Sequence, residues 1–323
     1  MKAWVVAPIL ILVGVLVSAC SKPAPINLIN ASGTPEARSS ADFSVPGKIL
    51  FVKDGIINLW NNGGVRKLTA PGSAFDDPVW SPDGRSIAAV IVGQNHSDLV
   101  ILNADGKLEK QLTRNLSNVQ VQDSKWARKP SWSPDGKALA YATDLNSFHF
   151  GLWTVGVGGT TPTHANYRPL GAGDVDSPSW SRDGKKLAFV AAWEETTQLY
   201  VLDSTSGVVK KLTNVKEGVY DSRWSPDGSR IVYAARVDGK HDLWSINADG
   251  TSESRLTSIG TARSPAWSPD SQYVAFLADQ GEGFDLYVAK LSQKPGGGMM
   301  TSEAKRLTRG LNVDAPAGLS WTK

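Results

Sequence analysis

The chain has 323 residues, 41% of them hydrophobic and 20% charged, so it can bury a large core. Its net charge is +3 and no dense run of lysine and arginine occurs, which argues against nucleic acid as a partner, since phosphate binding needs basic charge gathered on one surface. A single cysteine, Cys20, rules out an internal disulfide.

The chain opens with MKAWVVAPILILVGVLVSAC: a basic residue, an apolar run from about Ala3 to Val17, and small residues ending at the cysteine. The run is short for a spanning helix, and residues 1–19 read as an export signal. Val17-Ser18-Ala19-Cys20 resembles the bacterial lipobox, which implies that Cys20 is lipid-modified and becomes the first mature residue. Acyl chains hold a protein to a membrane by about 0.8 kcal/mol per buried methylene. The expected location is therefore a cell membrane or outer membrane, facing the periplasm or the cell exterior. Residues 20–46 are rich in Ser, Ala and Pro without sustained periodicity, and read as a flexible tether with a typical span of roughly 25–30 Å.

From residue 47 onward the chain is built of repeats. Gly47–Ala70, GKILFVKDGIINLWNNGGVRKLTA, carries three strand-like segments. Five copies of one hairpin follow: WSPDGRSIAAV at Trp80, WSPDGKALAYA at Trp132, WSRDGKKLAFV at Trp180, WSPDGSRIVYA at Trp224 and WSPDSQYVAFL at Trp267. Seven residues after each tryptophan stands Ile87, Leu139, Leu187, Ile231 or Val274. A leucine then begins a third segment: Leu99, Leu152, Leu199, Leu243 or Leu286. A fourth segment ends in Leu-Thr at 112–113, 212–213, 256–257 and 307–308, and the expected counterpart in the third unit is Leu170-Gly171. Four short apolar segments between turns are the pattern of one antiparallel four-stranded sheet. In the turn, proline pre-sets φ, aspartate suits the next position and glycine takes the left-handed one; Arg182 and Ser271 replace proline and glycine, so those two turns are expected to be strained or of altered type.

A period of 40–50 residues with four strands per unit means a propeller. Asp314–Lys323, DAPAGLSWTK, supplies the first strand missing from the Gly47–Ala70 unit, so the ends of the region combine into one blade. The expected fold is all-β, a six-bladed propeller over residues 47–323.

The WSPDG-type strand, with its following DLW or LYV and RLT segments, resembles the repeat of the TolB propeller family, also found in propellers of prolyl-oligopeptidase-type enzymes. The resemblance implies a docking function through one propeller face, with a Pal-like envelope lipoprotein as the implied partner. It departs from TolB in two respects. A tether stands where TolB has a folded α/β domain, and the cysteine implies a lipid anchor where TolB is soluble.

Function is expected where the repeats differ. Second-to-third-strand loops and blade-to-blade connections share one face around the channel mouth. They carry the aromatics Phe75, Trp126, Phe148, Trp193, Tyr220 and Phe284. Trp126, Phe148, Trp193 and Tyr220 are the expected partner anchors, since aromatics dominate interface energetics. The acids Asp77, Asp176, Asp221 and Asp314 precede the inner strands; they either hydrogen-bond loop amides or form a negative rim that selects a cation or a basic segment. His96, His149 and His241 lie on the same face, without the close spacing or partner residues of a metal site, so no metal and no cofactor is expected. No G-x-S-x-G elbow, P-loop or dinucleotide fingerprint occurs, and no catalytic residue is assigned. The glycines at 296–298 and the segment TTPTHANY (160–167) with His164 read as hairpin insertions on the opposite face. The reading is a lipid-anchored protein-binding scaffold of the cell envelope; a cell-wall polysaccharide ligand, or a metal-dependent enzyme at the channel mouth, is the alternative.

Overall fold

A computed structural model describes residues 45–323 except Gly63, residues 117–122, Arg168 and Gly296. The signal segment, Cys20 and the tether lie outside the described residues apart from Val45 and Pro46. Six antiparallel sheets form the blades of a propeller. Their inner strands are Ser320–Thr322, Phe75–Trp80, Ala127–Trp132, Val175–Trp180, Val219–Trp224 and Arg263–Trp267, which touch one another in that order around the axis and back to the first. We number the blades one to six in the same order. Blade one is composite: Trp321 pairs with Ile49, and Lys48–Lys53, Ile56–Asn61 and Gly64–Lys67 complete the sheet. Blade six carries a fifth strand, Met299–Thr301, against the end of its long third strand.

The core lies between blades. In the second strand of blade four, Lys186–Ala191, the side chains of Leu187, Phe189 and Ala191 pack toward Ala140 and Leu152 of blade three. Ala188 and Val190 pack toward Trp224, Ile231 and Tyr233 of blade five. A strand buried on both faces needs a continuous apolar run, and LAFVA supplies one. Each fully buried side chain of this size contributes about 1.5–3 kcal/mol.

The inner-strand tryptophans also join blades by hydrogen bonds. The indole N–H of Trp132 donates to the Val79 carbonyl at 3.0 Å, and that of Trp267 to the Arg223 carbonyl at 3.1 Å. Where serine precedes the tryptophan, its hydroxyl also accepts from the next blade's tryptophan N–H, as Ser131 does from Trp180 at 3.4 Å. Ser320 takes the Trp80 N–H at 2.9 Å and Ser179 takes the Trp224 N–H at 2.8 Å.

All five hairpin turns have one geometry. The residue in the glycine position donates to the serine carbonyl three residues earlier, at 2.9 Å for Gly84 and 3.0 Å for Gly184. The turn serine also donates to the aspartate two residues on, as in Ser81 to Asp83 at 2.6 Å and Ser268 to Asp270 at 2.5 Å. The turn type at Arg182 is therefore unaltered, contrary to expectation, because the serine and aspartate hold the turn without proline. Ser271 keeps the left-handed conformation at φ 59°, a strained position for a residue with a Cβ.

The Leu-Thr endings close each blade's outer edge. Leu112, Leu212, Leu256 and Leu307 donate their N–H to Leu99, Leu199, Leu243 and Leu286. The adjoining threonine hydroxyl accepts from the same leucine, as Thr257 does from Leu243 at 2.9 Å. In blades two, five and six it also donates to a buried aspartate, Asp98, Asp242 or Asp285. Blade three corrects the expectation at Leu170-Gly171. There Ala165 makes the equivalent backbone bond to Leu152, and Thr163–His164 is the fourth strand. The Tyr167 hydroxyl, which accepts the Leu152 N–H at 3.4 Å, stands in for the missing threonine.

Candidate functional site at the channel mouth

Each inner strand except the short one of blade one breaks register midway against its neighbour: between Asp76 and Val79, Arg128 and Ser131, Asp176 and Ser179, Tyr220 and Arg223, and Arg263 and Ala266. The residue three before the tryptophan is left-handed every time: Asp77, Lys129, Ser177, Asp221 and Ser264 have φ between 49° and 55°. Gly318 occupies the same position in blade one at φ 71°. Left-handed backbone is costly for residues with a Cβ, and a bulge re-aims side chains. The repeat of this feature in all six blades builds two rings. One consists of Asp77, Lys129, Ser177, Asp221, Ser264 and Gly318. The other, one residue earlier, consists of Asp76, Arg128, Asp176, Tyr220, Arg263 and Ala317.

Against the part of these rings that blades three to six contribute opens a cavity of about 540 Å³, a size typical of ligand sites. Its charged lining is Arg128, Lys129, Asp174, Asp176, Asp221 and Arg263, with His241 and Tyr220 beside them. Lys129 pairs with Asp77 at 2.8 Å and donates to the Pro316 carbonyl, so it ties blades two and three to the segment that closes the ring. Burial alone would lower the Lys129 pKa, but Asp77, then Asp221 and Asp176, overcome it and hold the ammonium charged. Arg128 pairs with Asp176 at 3.2 Å and lies over the Phe150 ring at 3.6 Å. The Asp76 carboxyl is pushed up to about 6 by burial and then by Asp77, with Lys129 opposing. His241 is pushed below its usual value by burial, then by Arg263 and Arg236, with Asp221 and Asp242 opposing.

The expected rim acids occupy unequal places. Asp77 and Asp221 stand in the first ring and Asp176 in the second. Asp314 lies outside the inner strand, before the short 3-10 turn Ala315–Ala317, where it accepts the Gly55 N–H at 3.4 Å. Asp77 also accepts the Lys129 N–H at 2.9 Å, and Asp221 the Ser264 N–H at 3.2 Å. The rim is mixed in sign, because Arg128, Lys129 and Arg263 occupy the same ring positions as the acids.

The expected anchors also divide. Phe148 is fully exposed at 103% and Trp126 is 37% exposed. The two loops meet where the Trp126 N–H donates to Asp144 at 2.8 Å. Tyr220 lines the cavity, its ring 5.7 Å from that of His241. Trp193 departs from the expectation of an exposed anchor: it is 8% exposed and packs on Tyr167, Phe189 and Tyr200. Phe75 is likewise buried. The histidines are separate: His96 lies 3.6 Å from Asp98, His149 lies 3.4 Å from Asp174, and His241 is beside Tyr220. Among the described residues no group of three or more His, Cys, Asp or Glu is placed to hold a metal, and no helix is long and apolar enough to cross a membrane.

Arg128, Lys129 and Arg263 are absent from the expected site residues, although they hold the same strand positions as Asp77, Asp176 and Asp221. Counting back three and four residues from each tryptophan finds them, and that is the signal the sequence held.

Residues 171–312 match the family described as the TolB beta propeller domain. The chain is 28% identical over 191 residues to the uncharacterized peptidase YuxL of Bacillus subtilis, covering 57% of this chain and 26% of that protein. It is 33% identical over 69 residues to the Tol-Pal system protein TolB of Desulfosudis oleivorans, covering 21% of this chain and 16% of that one. The match thus spans well under two thirds of these relatives' lengths. Among solved structures, TolB from Acinetobacter baumannii superposes with a TM-score of 0.64 at 20% identity, over 85% of this chain and 66% of that one.

Proposed function

We propose that this TolB-like six-bladed propeller is a protein-docking scaffold of the cell envelope, anchored through a lipid on Cys20 and presenting its channel-mouth face to a partner. The observation that carries the reading is the pairing of exposed Phe148 and Trp126 with a 540 Å³ mixed-charge cavity on one face. Aromatic anchors beside a polar, concave surface are the usual makings of an interface. Phe148, Trp126 and Tyr220 supply burial, and Asp77, Asp176, Asp221 and Asp314 belong to the charge pattern that selects the partner. The likeness to a Tol-Pal system protein supports a Pal-like envelope protein as that partner.

A photo-crosslinking residue at position 148 or 126, in the lipidated protein in its own envelope, tests this. Crosslinks to one envelope protein, absent when the probe sits at Leu108 or Val208 on the outer strands' side, support docking. Equal crosslinking from both places sinks it. The likeness to a peptidase keeps an enzymatic channel mouth as the second reading. Retention of a stoichiometric divalent ion that disappears with the His241→Ala variant would favour that reading in its metal-dependent form.

A further inference from the structure

The second ring reads around the axis as Ala317, Asp76, Arg128, Asp176, Tyr220 and Arg263. Arg128 and Arg263 stand in blades three and six, opposite one another. Both are braced alike, because each guanidinium lies over a phenylalanine where its own blade's third strand begins: Phe150, just before that strand, at 3.6 Å and Phe284, its first residue, at 5.5 Å. Their neighbours differ. Arg128 stands between two aspartates and pairs with Asp176, whereas Arg263 stands between Tyr220 and Ala317, which bring no charge.

Most other charges of the cavity are matched internally. Asp174 and Asp176 face Arg128 at 3.9 and 3.2 Å and Asp77 faces Lys129 at 2.8 Å, while Asp221 makes no ion pair among the described residues and accepts the Ser264 N–H at 3.2 Å. Among the described residues Arg263 has no ion-pair partner, while its neighbour Arg236 has Glu217 at 3.4 Å. The Nε–H of Arg263, like that of Arg128, is closed off from solvent without a hydrogen bond, but only Arg128 has a carboxylate beside it, Asp176 at 3.2 Å. A half-buried guanidinium without an anion is costly unless something supplies one.

We propose that Arg263 anchors a carboxylate-binding subsite in the channel-mouth cavity, where a ligand carboxylate takes the place that Asp176 fills for Arg128. Tyr220 and His241 flank the position and Pro316 borders it. The carboxylate is carried either by an acidic side chain of a docked protein, in which case the inference rests on the docking reading, or by a free small acid.

The test is calorimetric titration of the folded protein with succinate, and with a blocked peptide carrying one glutamate alongside its glutamine twin. Binding of the carboxylate probe, weakened about tenfold or more by Arg263→Gln and unchanged by Arg85→Gln on a distant turn, is the expected result. Absence of binding by both carboxylate probes, or an Arg263→Gln variant that binds like the wild type, overturns it. Should Arg263→Gln not fold, the Nε–H resonance of wild-type Arg263 decides: it shifts on adding the probe if the subsite exists and stays still if it does not. Succinate binding as tightly as the peptide assigns a free acid; binding of the glutamate peptide alone assigns a partner's side chain. Crosslinking that fails while carboxylate binding survives removes the docking scaffold and leaves the subsite.

Discussion

The Lys129 ammonium sits 2.8 Å from Asp77 in the next blade and donates to the Pro316 carbonyl of the ring-closing segment, so one side chain joins three parts of the propeller at its axis. Both partners of the pair are largely buried. Removing one leaves the other charge without compensation, which costs far more than the pair contributes as a whole.

Lys129→Met is therefore expected to lower stability by about 3–5 kcal/mol. Adding Asp77→Asn should restore a large part of that loss, because the orphaned charge disappears. Urea unfolding of the two single variants and the double variant measures the coupling. Additive losses would show that the pair does not act as a unit.

The aromatic substitutions should separate cleanly. Trp193→Ala empties a buried aromatic cluster and is expected to cost about 3–5 kcal/mol. Phe148→Ala should change stability by less than about 0.5 kcal/mol, as surface changes do, whereas Trp126→Ala, at a site 37% exposed, is expected to cost more than Phe148→Ala and less than Trp193→Ala. Phe148→Ala and Trp126→Ala should nevertheless reduce crosslinking to the envelope partner. Thermal unfolding and crosslink yield, read on the same samples, check both halves.

Asp76 makes stability depend on pH in an identifiable direction. Its carboxyl titrates near 6 in the folded protein against 3.8 for an ordinary aspartate. Between those values the folded state holds a proton that the unfolded state has released, so this group's contribution improves as pH falls from 7 toward 4. Asp76→Asn should be more stable than the wild type at pH 8, by up to about 3 kcal/mol, with the advantage gone near pH 4. Urea midpoints at the two pH values decide; an advantage independent of pH would mean that burial does not act on the carboxyl.

The composite blade predicts that ring closure is an all-or-none requirement. Deleting Ser320–Lys323 removes the Trp321–Ile49 pairing and the Ser320 acceptor for the Trp80 N–H. The expected outcome is loss of the single cooperative transition, or a fall in its midpoint larger than that of Trp321→Ala. Calorimetry distinguishes this from a strand that merely decorates the ring.

The sequence by itself determined the architecture. Ser, Asp and Gly of each turn hold it through residues at most five positions away, and a strand buried on both faces announces itself as an unbroken apolar run such as LAFVA. Six units with one split between the ends of the region leave a closed ring as the solution. Tertiary structure decided everything that depends on which blade stands next to which. Trp193 looks like any loop aromatic, yet it is buried because Tyr167, from the preceding connection, stacks on it and Gly171 passes where a Cβ would lie 2.4 Å from its carbonyl oxygen. The acids were legible as residues, but their pairing was not. Asp77 meets Lys129 and Asp176 meets Arg128 across blade boundaries, between residues about one repeat apart in the chain. Arg263 stands unpaired for the same reason: charge balance around a ring is set by neighbours in space, and its neighbours are a tyrosine and an alanine.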